Sequence, residues 1–113
     1  MSATTEVRRA LTAALDSLDV EVRPAAITYA EAHGLTTARY EVTVLTGPAG
    51  DSGAEDQLDD LIAPGGVKAQ LEHDRTLSGL VADLNVTKCT GWQVYQRGEQ
   101  MLGAMWTVET QTL

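Results

Sequence analysis

Residues 72–75, Glu72-His73-Asp74-Arg75, set four ionisable side chains in a row and hold the only adjacent His–Asp pair of the chain. A His–carboxylate couple is the core of general-base catalysis, the carboxylate orienting an imidazole that takes a proton from a nucleophile. That chemistry needs a third member, and sequence neighbours rarely face each other. No nucleophile is indicated here, so the pair reads first as a solvated charged corner after a helix, with His73 near the C-terminal end, where the dipole favours a cation. A metal site would have to gather His33, His73 and carboxylates from separate elements. There is no His-x-x-x-His spacing, and the single cysteine, Cys89, excludes an internal disulfide and a cysteine-based zinc site.

The acidic run "EDQLDD" places Glu55, Asp56, Asp59 and Asp60 close together. It lacks the alternating oxygen ligands and central glycine of an EF-hand loop, so the expectation is a charged helix face, available to a neighbour. The glycine-rich stretches 47–53 and 65–66 match neither a P-loop nor a dinucleotide fingerprint. No cofactor is expected. The segment "CTGWQVYQRGEQ", 89–100, groups Trp92 and Tyr95 with glycine and polar residues, as a partner or ligand loop would, because aromatic anchors carry much of the energy of binding. Packing of both rings on the ends of a sheet is the competing expectation. Cys89 is expected to be an inert, half-buried strand residue.

The elements that must position these groups can be read from periodicity. In "TTEVRRALTAALDSL", 4–18, Val7, Leu11, Ala14, Leu15 and Leu18 form one stripe of a helix. Arg23-Pro24 is expected to break regular structure, and 25–31 to form a short strand. Residues 37–46, "TARYEVTVLT", alternate, with Ala38, Tyr40, Val42 and Val44 on one face; strand 25–31 is their expected hairpin partner. Ser52 and Glu55 have capping-box spacing for a helix over about 53–63 that presents Ala54, Leu58, Leu61 and Ile62 inward. A second short helix is expected over 66–73, with Val67 and Leu71 four apart. Strands follow over 80–90 and 92–97, the latter continuing the former or starting anew. Residues 99–112 close the chain, with Leu102, Ala104, Trp106 and Val108 facing one way.

With 113 residues and no phenylalanine, the chain has room for one domain, 1–113, around a mostly aliphatic core. The element order predicts an α+β fold: an antiparallel or mixed sheet of about four strands with helices packed on one side. Sixteen acidic against eight basic residues give a net charge of −8, which repels phosphates and argues against nucleic-acid binding through the bulk field. The N-terminal segment lacks the apolar core of a signal peptide, and no apolar run approaches a membrane span, so a reducing cytoplasm is the expected compartment. No enzyme signature emerges from the residues, and an interaction role is expected.

The order and spacing of "VRRALTAALDSL", "RYEVTVLTG", "AEDQLDDLI", "GGVKAQLEHDRTLSGLVADLNVT" and "MLGAMWTVETQ" resemble the tail terminator proteins of long-tailed phages, particularly those of actinobacterial hosts. Where that family often carries a Pro-Pro segment, this chain has Arg23-Pro24-Ala25-Ala26. The resemblance implies a virion protein assembled in the host cytoplasm, forming a hexameric ring at the head-proximal end of the tail tube. Such a ring stops tube growth and joins the tail to the head. Its implied partners are further copies of itself, the major tail tube protein and a head–tail connector or stopper protein. DNA would pass through the lumen without specific binding, and no membrane is involved. Loops 31–37 and 47–53 would make contacts along the particle. Glu55, Asp56, Asp59, Asp60, His73, Asp74, Arg75, Trp92 and Tyr95 are the candidate interface residues. Two other expectations compete: a different connector or tail-completion subunit, and a regulatory module binding a small molecule at Trp92–Tyr95. A hydrolase using His73 is the weakest of the readings.

Overall fold

A computed structural model describes residues 3–29 and 36–112. Val7 and Leu11, one helical turn apart and both buried, pin the first helix, α1 (Ala3–Ala14), to the core. The helix stops short of the expected residue 18. The Leu15 and Leu18 amides bond three residues back, to the Thr12 and Leu15 carbonyls at 3.1 and 3.0 Å, which tightens the exit into a turn. Leu15 stays buried and Leu18 half-buried, but Ala14 faces solvent rather than the core.

The first strand, β1 (Asp19–Tyr29), begins six residues before the expected one and runs straight through Arg23-Pro24. Proline is tolerated because β1 lies at the edge of the sheet, where a missing N–H breaks no inner ladder. The irregularity it does cause is local, a register shift between Pro24 and Ala26. The expected hairpin partner is correct: β1 pairs antiparallel with β2 (Thr36–Pro48), whose Ala38, Tyr40, Val42 and Val44 are buried as their alternation predicts.

Helix α2 (Ser52–Ile62) buries Ala54, Leu58 and Leu61. Its N-cap is Asp51 rather than Ser52, the carboxylate accepting from the Gly53 amide at 3.2 Å. Helix α3 (Val67–Glu72) buries Val67 and Leu71. Residues 92–97 continue the strand before them, giving one long β3 (Asp83–Arg97), and 80–82 are not part of it. It keeps its continuity through two register shifts, Val86/Lys88 and Thr90/Gln93. Gly98, at φ 78°, makes the tight return into β4 (Glu99–Gln111), which buries Leu102, Ala104, Trp106 and Val108.

The sheet order is β1-β2-β4-β3, every neighbouring pair antiparallel. The chain therefore has an α+β fold, with a four-stranded antiparallel sheet and three helices among the described residues. The helices share one face, where Leu11, Leu15, Leu58, Val67 and Leu71 meet Tyr40, Val42, Val44, Leu84 and Trp106 in a single core. The opposite face carries Arg39, Glu41, Thr43, Met105 and Glu109, all partly or well exposed. The Tyr40 ring is buried, which raises its hydroxyl pKa against the lowering effect of a hydrogen bond with Thr4.

Two substitutions test this arrangement. Trp106, 1% exposed, fills the centre of the core, and Trp106→Ala should cost about 3–5 kcal/mol in urea unfolding. A Cβ on Gly66 would lie 2.2 Å from the Leu61 carbonyl oxygen and 2.6 Å from that of Asp60. Gly66→Ala should therefore destabilise by roughly 1–3 kcal/mol through forced separation of α2 and α3, whereas Gly65→Ala, with open space around it, should leave the unfolding midpoint nearly unchanged.

Candidate subunit interface

The charged corner is held by hydrogen bonds in which each carboxylate has a structural task. Asp74 accepts from the Ser78 amide at 2.8 Å and hydroxyl at 3.2 Å, and from the Thr76 amide and hydroxyl at 3.3 and 3.1 Å. Those bonds hold a turn in which Leu77 and Ser78 adopt left-handed backbone at φ 49° and 58°, an arrangement unusual for residues other than glycine. The strain lets Leu77, 6% exposed, reach the core from a surface loop. Glu72 binds Lys68 and also accepts from the Val86 amide at 2.9 Å, tying α3 to β3. Arg75 bridges Asp83 at 3.0 and 3.3 Å and reaches Asn85. His73 is the exposed C-cap of α3. The Asp74 acceptors go to Thr76 and Ser78, so the structure gives the His–Asp pair no orienting role; His33 lies outside the described residues. Among the described residues no group of three or more His, Cys, Asp or Glu side chains is placed to hold a metal ion.

These bonds leave an electrostatic signature. The Ser78 amide, then the Thr76 amide and both hydroxyls, hold the Asp74 carboxyl below its ordinary value. Arg75 and the Leu84 amide do the same for Asp83, and Lys68 with the Val86 amide for Glu72.

The acidic face and the aromatic segment come together. Glu55, Asp56, Asp59 and Asp60 are all exposed on α2, and the Trp92 indole N–H donates to Asp59 Oδ1 at 2.9 Å. The segment 89–100 is not a loop but the end of β3, its turn and the start of β4. Trp92 sits in the second register shift of β3 with φ 53°, and this bulge swings the indole toward α2 while leaving it 59% exposed. Val94, two residues on, is 55% exposed. Tyr95 belongs to the other face: its ring lies over Gly103 beside Leu45, and burial raises its hydroxyl pKa. Arg97 stands 5.8 Å over that ring and reaches Glu21 on β1 at 3.0 Å. Trp92 and Tyr95 therefore do not line one pocket.

Cys89 is half-buried, and desolvation raises its thiol pKa, as expected of an unreactive cysteine. Of the two expected contact loops, 31–35 lie outside the described residues, and 47–53 hold the end of β2, a turn and the cap of α2.

The opposite edge carries none of the candidate residues. There, α1 and β1 enclose an open groove of about 680 Å³ whose lining includes Arg8, Ala13, Leu18, Val20 and Val22. Arg8 Nε is buried without a hydrogen-bond partner among the described residues. Beyond Pro24, every residue of β1 is exposed, with Ile27 at 45% and Tyr29 at 77%. The uncharged run "PAAITY" was the available signal. No protein-family model matches the chain, and no match was found among curated proteins. No helix is long and apolar enough to cross a membrane among the described residues.

The pH dependence of the corner follows from these shifts. Asp74, Asp83 and Glu72 have folded-state values below 3.8, 3.8 and 4.5, the ordinary values of the unfolded chain. Depressed values mean that the unfolded chain binds protons first, so their stabilisation is complete at neutral pH. It is lost as pH falls below about 4.5 and through the folded-state values. Asp74→Asn should remove part of that acid sensitivity while lowering stability at pH 7, read as thermal midpoints across pH 3–7.

Proposed function

We propose that this chain is a structural virion protein of a tailed phage, a neck subunit. It would assemble into a ring, hexameric if it follows the family it resembles, at the head-proximal end of the tail tube. The ring would end tube growth and join the tail to the head connector. The observation that carries an assembly role is a pair of unlike sheet edges that the described residues leave partly uncovered. On one side β3 offers Trp92 and Val94 beside an acidic helix. On the other, β1 offers Ile27, Tyr29 and a groove with a buried arginine nitrogen. Monomeric proteins usually blunt such edges with charge or cover them. Two different sticky edges on one subunit favour head-to-tail contacts, which close into rings when the rotation per subunit divides the circle.

The net charge of −8 suits a ring through which DNA moves, since a negative wall does not retain phosphates. Station within the neck rests on the resemblance, and a tail-completion or other connector subunit shares the same geometric support. The regulatory-module reading lacks comparable support, because its two aromatic residues stand on opposite faces of the sheet.

The test is direct. Purified protein should form rings in negative-stain electron microscopy, alone or when added to polymerised tail tubes from the same genome, and added protein should cap one tube end and halt elongation. Protein that neither oligomerises nor binds tube ends at high concentration would overturn the reading.

A further inference from the structure

We propose that the β3 edge of a second copy of this chain docks along the β1 edge. The second copy would insert Trp92 and Val94 into the groove between α1 and β1. The inference rests on the ring reading above and specifies the contact that would build the ring.

Strand direction is the first support. In the order β1-β2-β4-β3, with every pair antiparallel, β3 runs opposite to β1. Placing β3 of one copy beside β1 of the next therefore continues the alternation, and the joined sheet is antiparallel throughout. Height is the second. Val20 pairs with Val44, and Val44 with Ala104. Ala104 lies between Met105 and Gly103, the partners of Thr90 and Gln93, so this row ends on β3 at Gly91 and Trp92. Val20 and Trp92 stand at opposite ends of one row. Repeating the subunit side by side sets the Trp92 of one copy next to the Val20 of the other with little stagger.

Face is the third support. Val20 and Val22 pack against the core on the helical side of the sheet, and Trp92 turns toward α2 on that same side. In the joined sheet the incoming indole is directed under α1, into the groove that Val20 and Val22 floor. The groove volume, about 680 Å³, is ample for an indole and a valine side chain. The first part of β3 is already held by Glu72 and Arg75, so the contact centres on the Trp92 end of the strand.

Charge disfavours the two-fold alternative. Helix α2, SGAEDQLDDLI, carries four exposed carboxylates and no basic residue, and it travels with Trp92. The receiving groove is lined by Arg8 and Arg9 and by Asp16 and Asp19, so its charges are mixed rather than acidic. A two-fold contact of β3 with β3 would instead press two acidic helices together, and one of β1 with β1 would leave Trp92 and Val94 in water. A tryptophan buried at the centre of an interface is a frequent member of a binding hot spot.

Two blocking variants test the assignment by sedimentation velocity. Trp92→Asp spoils the inserting edge, and Ala13→Glu, at an exposed position lining the groove, spoils the receiving one. Each alone should lose self-association roughly thirtyfold or more, the scale of a hot-spot truncation. An equimolar mixture should give a one-to-one dimer, because each variant retains the edge that the other lacks. Circular dichroism checks folding, and Val94→Asp replaces Trp92→Asp should the latter not fold. Wild-type rings together with a variant that still assembles alone would overturn this contact and leave the ring reading standing. Wild-type protein that stays monomeric at high concentration, with or without tail tubes, would overturn both.

Discussion

Everything in this molecule depends on burying one face of a four-stranded sheet under three short helices. The strands run 11, 13, 15 and 13 residues, while the helices run 12, 11 and 6. The helices are shorter than the area they would have to cover. They seal the centre, where Leu11, Leu58 and Leu71 meet Tyr40, Val42 and Trp106, and leave the margins of the sheet open. With no phenylalanine available, Trp106 supplies the bulk that aliphatic side chains cannot, and Thr110 enters the core by donating to the Ala38 carbonyl.

Incomplete cover explains both the structural and the functional features. The surface corner at 72–78 spends its charges on anchoring α3 and its turn to β3, which lets Leu77 and Val81 complete the core from a loop. Each of its carboxylates holds a backbone or side-chain donor in place. The uncovered margins, β1 beyond Pro24 and β3 around Trp92, are where apolar side chains meet water. An edge strand in that condition is a template for another strand. The proposed assembly role follows from the same shortage of helix that shapes the fold, and negative charge gathered on α2 gives the two edges different identities.

Much of the fold was legible in residue patterns, for reasons specific to each segment. The alternation of Ala38, Tyr40, Val42 and Val44 could only be a strand with one buried face, and the 99–112 segment repeats that signal. Ala54, Leu58 and Leu61 recur at helical spacing and are buried as expected. The misplacements share one cause. Pro24 marks a break only if its strand is internal, and whether a strand is an edge is a property of the sheet. Likewise the sequence leaves open whether 92–97 continues the strand before it, because Gly91 interrupts the alternation, and pairing with β4 on both sides of the bulge makes it one strand. The α2 cap moved by one residue because Asp51 and Ser52 are both good caps, and only backbone geometry chose between them.

The class of fold, the faces of its secure strands and helices, and the surplus of negative charge were all legible from residue order alone. Local periodicity and composition carry those, since burial repeats every two or every 3.6 residues whatever the topology. The identity of the edge strands, the opposite faces of Trp92 and Tyr95, and the shared row of Val20 and Trp92 emerge with the assembled sheet. Those depend on strand order and on two bulges in β3, which join residues far apart in the chain and leave no period for a sequence to display.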